Sequence, residues 1–105
     1  MKRIEYYQTR AGQEPCREWL NQLDKTAQFK IDAYIKRAAL GAAKKNTRSL
    51  GDGIFEIKID SGPGYRVYFG EVGNVIILLL LGGDKGSQFR DIRQAKDYWR
   101  DYVSK

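Results

Sequence analysis

Three apolar runs follow one another between Gly53 and Gly83, and no other part of the chain restricts the fold as strongly. They are Ile54-Phe55-Glu56-Ile57-Lys58-Ile59, Tyr65-Arg66-Val67-Tyr68-Phe69 and Val75-Ile76-Ile77-Leu78-Leu79-Leu80-Leu81. Ser61-Gly62-Pro63-Gly64 joins the first pair and Glu71-Val72-Gly73-Asn74 the second. Short runs rich in β-branched and aromatic residues, punctuated by Gly, Pro and Asn, predict consecutive antiparallel strands. The rest of the chain has to pack on this meander.

Side chains alternate along a strand, so each run sorts its residues onto two faces. Phe55, Ile57 and Ile59 share one face of the first run, and Glu56, Lys58 and Asp60 share the other. In the second run Tyr65, Val67 and Phe69 oppose Arg66 and Tyr68. Apolar faces must coincide across a strand pair, because a one-residue slip exchanges them. A four-residue loop at 61–64 would set Lys58 opposite Val67. A three- or five-residue connection, or a bulge, puts Lys58 and Arg66 on the same polar face. The third run is apolar throughout and is expected to be covered on both sides.

At 105 residues the chain is sized for a single domain spanning 1–105. Its net charge is +6, and the excess lies in residues 1–50, with 11 Lys/Arg against 5 Asp/Glu; residues 51–105 balance at 8 and 8. A basic surface favours an anionic partner, nucleic acid first and an acidic protein second; a solvated surface with no partner has the same composition. There is no histidine, which removes the commonest general base and the commonest metal ligand. Cys16 is the single cysteine, so no disulfide framework or Cys/His metal pattern exists, and no metal or cofactor is expected. No apolar leader opens the sequence, and the run at 75–81 is far shorter than the ~20 residues a membrane helix needs. The expectation is a cytoplasmic protein with no membrane partner.

Around the meander, Lys2 to Thr9 reads as a first strand. Pro15 suits the first turn of a helix, and Asp24 suits the N-cap of a second, with Ala27, Ile31, Tyr34, Ile35 and Ala38 at helical spacing and Gly41 as its stop. Residues 14–40 thus predict a helical hairpin, and 42–53 a polar connection. Ser87 opens a last helix to about Tyr102, with Phe89, Ile92, Ala95, Tyr98 or Trp99, and Tyr102 as its core-facing stripe. The expected architecture is α+β: an antiparallel sheet, made of the N-terminal strand and the meander, with the helical hairpin and the C-terminal helix packed on one face.

Several groups are candidates for chemistry. Gly62-Pro63-Gly64 reads as turn glycines. Gly82-Gly83-Asp84-Lys85-Gly86 lies between a strand and a helix start, where backbone N–H groups meet anions. Trp99, Tyr98 and Tyr102 read as packing for the last helix rather than as a base-stacking platform. Lys44, Lys45 and Arg48 are candidates for a phosphate backbone or a solvated connection. Lys58, Arg66 and Tyr68 on the polar sheet face, with Lys85 at its edge, form the better site, since converging cations suit a phosphate. For RNA cleavage by its own 2′-hydroxyl, Arg66 would stabilise the phosphorane. Without histidine the base falls to a Lys of lowered pKa, a Tyr, Glu56 or an external group. Lys58, if crowded by Arg66 and Lys85, is the candidate.

The stretch Gly53 to Phe69, with Gly82-Gly83-Asp84-Lys85-Gly86-Ser87-Gln88, Asp91-Ile92 and Ala95-Lys96-Asp97-Tyr98-Trp99, resembles the RelE/ParE toxin superfamily, in particular its HigB-like, phage-derived addiction-module killer proteins. The likeness covers essentially the whole chain. It implies the toxin of a type II toxin–antitoxin pair, neutralised by a helix-turn-helix antitoxin. It further implies a metal-independent endoribonuclease acting on mRNA at the ribosome, and so blocking translation. Lys58, Arg66 and Lys85 match the family's basic positions and are the catalytic candidates; Lys44, Lys45, Arg48, Tyr68 and Arg90 are the candidates for RNA binding. Many relatives place a Tyr or His in the last helix; Phe89, Arg90 and Asp91 stand there in this sequence. The alternatives are a ParE-like, non-enzymatic poison of DNA gyrase and an antitoxin-binding module without nuclease activity.

Overall fold

A computed structural model describes residues 1–42 and 44–105; the Lys44 side chain, one of the RNA-binding candidates, lies outside the described residues. The elements are β1 (Arg3–Tyr6), α1 (Pro15–Asn21), α2 (Lys25–Ala39), a 3-10 turn (Lys44–Asn46), β2 (Thr47–Gly51), β3 (Ile54–Ile59), β4 (Tyr65–Val72), β5 (Ile76–Asp84), a second 3-10 turn (Lys85–Ser87) and α3 (Gln88–Val103). The α+β class is as expected. The sheet has five strands in the order β1-β5-β4-β3-β2.

Three details differ from the sequence expectation. First, β2 occupies much of the supposed polar connection, pairing antiparallel with β3 through the turn at Asp52 and Gly53. Asp52 and Gly53 both adopt positive φ, at 57° and 85°, which is the conformation tight hairpins require. Second, β1 runs parallel to β5, so the sheet is mixed. Between these two strands the chain runs through the helical hairpin to β2 at the far edge and then back through β3 and β4, so β5 closes beside β1 without a direct connection. Third, the helices cover both faces. Ile57, Ile59, Val67, Phe69, Ile77 and Leu79 pack with Cys16, Ile31 and Ile35 of α1 and α2. On the opposite face Ile54, Tyr68, Leu78 and Leu80 pack with Ala95 and Trp99 of α3. The all-apolar β5 is therefore covered twice, as its composition demanded.

The capping signals are realised in part. Pro15 is the first residue of α1. Asp24 accepts the Ala27 N–H at 2.8 Å, and Gly41 follows α2 with φ +78°. Ser87 precedes α3 without capping it, because its hydroxyl donates to Asp91 instead. Gly82 and Gly83 do not cradle an anion. They are strand residues with Trp19 on one side and Asp91 on the other, and a Cβ at either would collide with them.

Tyr7, just beyond β1, ties the amino-terminal strand to the end of α3. Its ring lies 4.9 Å from that of Tyr98, and its hydroxyl donates to Asp101 at 2.5 Å. Burial, then the Asp101 hydrogen bond, push its pKa up to about 12 from 10.0. The raised value means that the folded state keeps this proton after the unfolded chain has lost it. The associated stability is complete below pH 10 and is lost as pH climbs towards 12. Tyr7→Phe is expected to cost about 1 kcal/mol at neutral pH and to flatten that alkaline loss, read from urea unfolding midpoints at neutral and alkaline pH.

Candidate functional site

The register of β3 and β4 gathers the site. Ile59 pairs with Tyr65, leaving a five-residue connection, so Lys58 stands opposite Arg66 and Glu56 opposite Tyr68. That is the odd-length solution the alternation required. On the other side of β3, Arg48 of β2 is opposite Glu56. The face that α3 covers further along the sheet therefore carries Arg48, Glu56, Lys58 and Arg66 where α3 begins. An open groove of about 620 Å³ lies over them, with Lys45, Asn46 and Thr47 on one wall and Gln88, the first residue of α3, on another.

Glu56 is the hub of this groove, although it is only 3% exposed. Arg48 Nε donates to its Oε1 at 2.8 Å, and Gln88 Nε2 to its Oε2 at 3.0 Å. Arg66 Nε stands 3.7 Å from Oε2, an ion pair longer than a hydrogen bond. The Arg66 guanidinium is held from the opposite end, where Nη1 donates to the Gly64 carbonyl at 3.0 Å. Gly64 has φ +78°, and a Cβ there would stand 3.5 Å from Nη1 and 3.6 Å from Lys85 Cβ. Arg66 Nε is itself buried without a hydrogen-bond partner. A buried donor left unpaired costs free energy, which the Glu56 carboxylate 3.7 Å away offsets in part.

The structure thus brings together four of the sequence candidates: Lys45, Arg48, Lys58 and Arg66 all line the groove. Lys85 does not line it; it is exposed on the 3-10 turn after β5, beside Gly64. The crowding expected around Lys58 does not involve Lys85, and Lys58 Nζ instead lies 3.8 Å from Asp60. Tyr68, expected at the RNA surface, is wholly buried in the core under α3. Burial, then the Glu56 and Asp91 carboxylates, push its hydroxyl pKa far up, so it neither stacks on a base nor serves as one. Arg90 is exposed, but at ~100° per residue it points away from the side of α3 that Gln88 turns to the groove. Cys16 is fully buried with its thiol pushed up to about 12 by burial, which removes it as a nucleophile.

Two contributors were not singled out as site residues, Gln88 and the hub role of Glu56. The signal for Glu56 was present: an acid beside Lys58 on the polar face of its strand, between two apolar neighbours in sequence. Gln88 carried none beyond its place at a helix start.

A mixed five-stranded sheet with a two-helix hairpin on one face and a single helix on the other, opening into a cation-lined groove, is compatible with the fold of RelE-like toxins. The chain belongs to the family of phage-derived Gp49-like proteins (DUF891), whose model matches residues 18–98. This is a RelE-like toxin family of toxin–antitoxin systems, whose members pair with a cognate antitoxin. The chain is also similar to an uncharacterised protein of Haemophilus influenzae, 48% identical over 79 residues, which is 74% of this chain and 79% of the relative. Among the described residues, no helix is long and apolar enough to cross a membrane.

Proposed function

We propose that the protein is an mRNA-cleaving toxin of the HigB-like kind, neutralised by a helix-turn-helix antitoxin, and that the groove over Glu56 and Arg66 is its nuclease site. One observation carries this reading: a buried carboxylate and a buried, under-bonded guanidinium meet at the floor of a groove whose rim is cationic. RNA supplies its own nucleophile. The 2′-oxygen forms a bond to the adjacent phosphorus while the bond from phosphorus to the 5′-oxygen breaks, leaving a 2′,3′-cyclic phosphate and a 5′-hydroxyl. Glu56 takes the 2′-hydroxyl proton in this scheme, and Lys58 supplies a proton to the departing 5′-oxygen. Arg66 binds the phosphorane oxygens, where charge accumulates. Arg48 and Lys45 hold neighbouring phosphates, which fixes position without reading sequence. Lys85, outside the groove, keeps only a phosphate-contacting role.

Purified protein incubated with translating ribosomes should generate new mRNA 5′ ends that disappear when antitoxin is added. Intact mRNA together with gyrase-dependent DNA breaks would replace this reading with the gyrase one. Glu56→Gln separates the two duties of the groove floor. It should slow single-turnover cleavage by about 100-fold, the scale of a lost general base. It should also tighten RNA binding by about 5-fold, because a negative charge has left a phosphate site. Unchanged cleavage would exclude Glu56 as the base.

A further inference from the structure

The second half of the chain has no net charge, yet α3 does not distribute its charges evenly. Contacts fix the orientation of this helix on the sheet. Tyr98 meets Tyr7 beyond the β1 edge, and Asp91 sits over Gly83 of β5. Gln88 reaches Glu56 of β3, and Trp99 donates to the Asp52 carbonyl in the β2–β3 turn at 2.7 Å. Successive residues rotate by ~100°. Passing round the helix from the β1 side to the β2 side, the next residues beyond Trp99 are Ile92 and Val103 and then Lys96, Phe89, Arg100 and Arg93. The last four fall within about 40° of one another's mean direction, as the spacing i, i+4, i+7, i+11 requires. They form one stripe that begins beside the groove and runs for roughly 16 Å along the helix.

Phe89 opens that stripe and is 92% exposed, the most exposed of the large apolar side chains among the described residues. Nothing in the core uses it, although the periodicity of α3 had placed it in the core-facing stripe. Arg93 and Arg100 are exposed and Lys96 is partly so. Arg100 pairs with Asp97 at the border of the stripe, an exposed ion pair of the kind that contributes little and yields readily to a phosphate. An aromatic ring beside a groove, followed by spaced cations, is the combination that single-stranded nucleic acid engages, with a base on the ring and phosphates on the cations.

We infer that this flank of α3 is an extended single-stranded RNA track, on which Phe89 stacks a nucleobase next to the groove and Arg93, Lys96 and Arg100 hold the phosphates of the strand leading away from it. The inference rests on the reading of the groove as an RNA site. It makes Phe89 a binding residue and not a catalytic one.

The test uses a 2′-O-methyl oligoribonucleotide of about twelve nucleotides, long enough for the track. It has no 2′-hydroxyl nucleophile, so its binding is measured whether or not the protein cleaves RNA. Replacing Arg93, Lys96 and Arg100 together by Gln should make the slope of log K against log salt shallower by about 2, since each phosphate contact on a single strand contributes about 0.7. The charge-retaining variant Arg93→Lys/Arg100→Lys should keep the wild-type slope. Phe89→Ala should weaken binding by about 5- to 100-fold with the slope unchanged. An unchanged slope in the triple variant, or an unchanged Kd in Phe89→Ala, overturns the track. So does a loss confined to antitoxin binding, which would reassign the stripe to the protein partner. A wild-type protein that leaves translated mRNA intact would remove the nuclease reading while these binding measurements still decide the track.

Discussion

Arg66→Ala should lower single-turnover RNA cleavage by about 100- to 1,000-fold, the scale on which a preorganised donor to a developing oxyanion acts. The expectation follows from how the guanidinium is held. One nitrogen is committed to the Gly64 carbonyl at 3.0 Å, and Nε is buried without a hydrogen-bond partner, 3.7 Å from Glu56. The group is anchored but not saturated, which suits a site that must gain bonds as charge develops. Removing it also leaves a cavity beside a buried carboxylate, and that could unfold the chain for unrelated reasons. Glu56 retains Arg48 and Gln88 as partners, so the thermal midpoint should fall only modestly. Arg66→Lys sharpens the test. It keeps the charge and loses the planar fork, and should recover binding more fully than rate. A rate loss in Arg66→Lys as small as its binding loss would show that Arg66 serves ground-state attachment alone.

That site was partly legible in the sequence, and the boundary of what could be read has a physical cause. Ile57 and Val67 must share a core face, and this placed Lys58 and Arg66 together on the other face, where the structure pairs them directly. Alternation assigns a residue to a face but says nothing about what covers the face at that point. Lys58 and Arg66 lie where α3 begins, whereas Tyr68 sits beneath the helix. Three residues on one side of the sheet thus have different environments, decided by where α3 starts and how it crosses. The edge strand β2 escaped notice for a related reason. With one neighbouring strand and exposed Arg48 and Ser49, it needs few apolar residues, and Thr47 and Leu50 give only a faint pattern. The parallel pairing of β1 was equally hidden, because four residues carry no information about direction.

The largest stability effect should come from Trp99, which fastens α3 to the sheet. The residue is 8% exposed, its indole N–H donates to the Asp52 carbonyl at 2.7 Å, and its ring packs against Gly70 of β4. A Cβ at Gly70 would stand 2.2 Å from the ring, so the strand has a glycine because the tryptophan occupies the space a side chain would take. Trp99→Ala should cost about 3–5 kcal/mol, against a net stability of about 5–15 kcal/mol for a domain. The thermal midpoint should fall by roughly 12–30 °C. Gly70→Ala alone should be destabilising by about 1–3 kcal/mol or more, through forced displacement of the ring. Combined, the two changes should not add. With the ring gone the new methyl group has room, and alanine is less costly than glycine in a strand interior by about 0.5–1 kcal/mol. Gly70→Ala in the Trp99→Ala background should therefore be neutral or slightly stabilising, a coupling of at least about 1 kcal/mol measured by a double-mutant cycle in urea. Additive losses would mean that Trp99 and Gly70 do not touch in solution and that α3 crosses the sheet elsewhere. Gln88 would then no longer be placed over Glu56, so the same cycle tests the frame on which the groove depends.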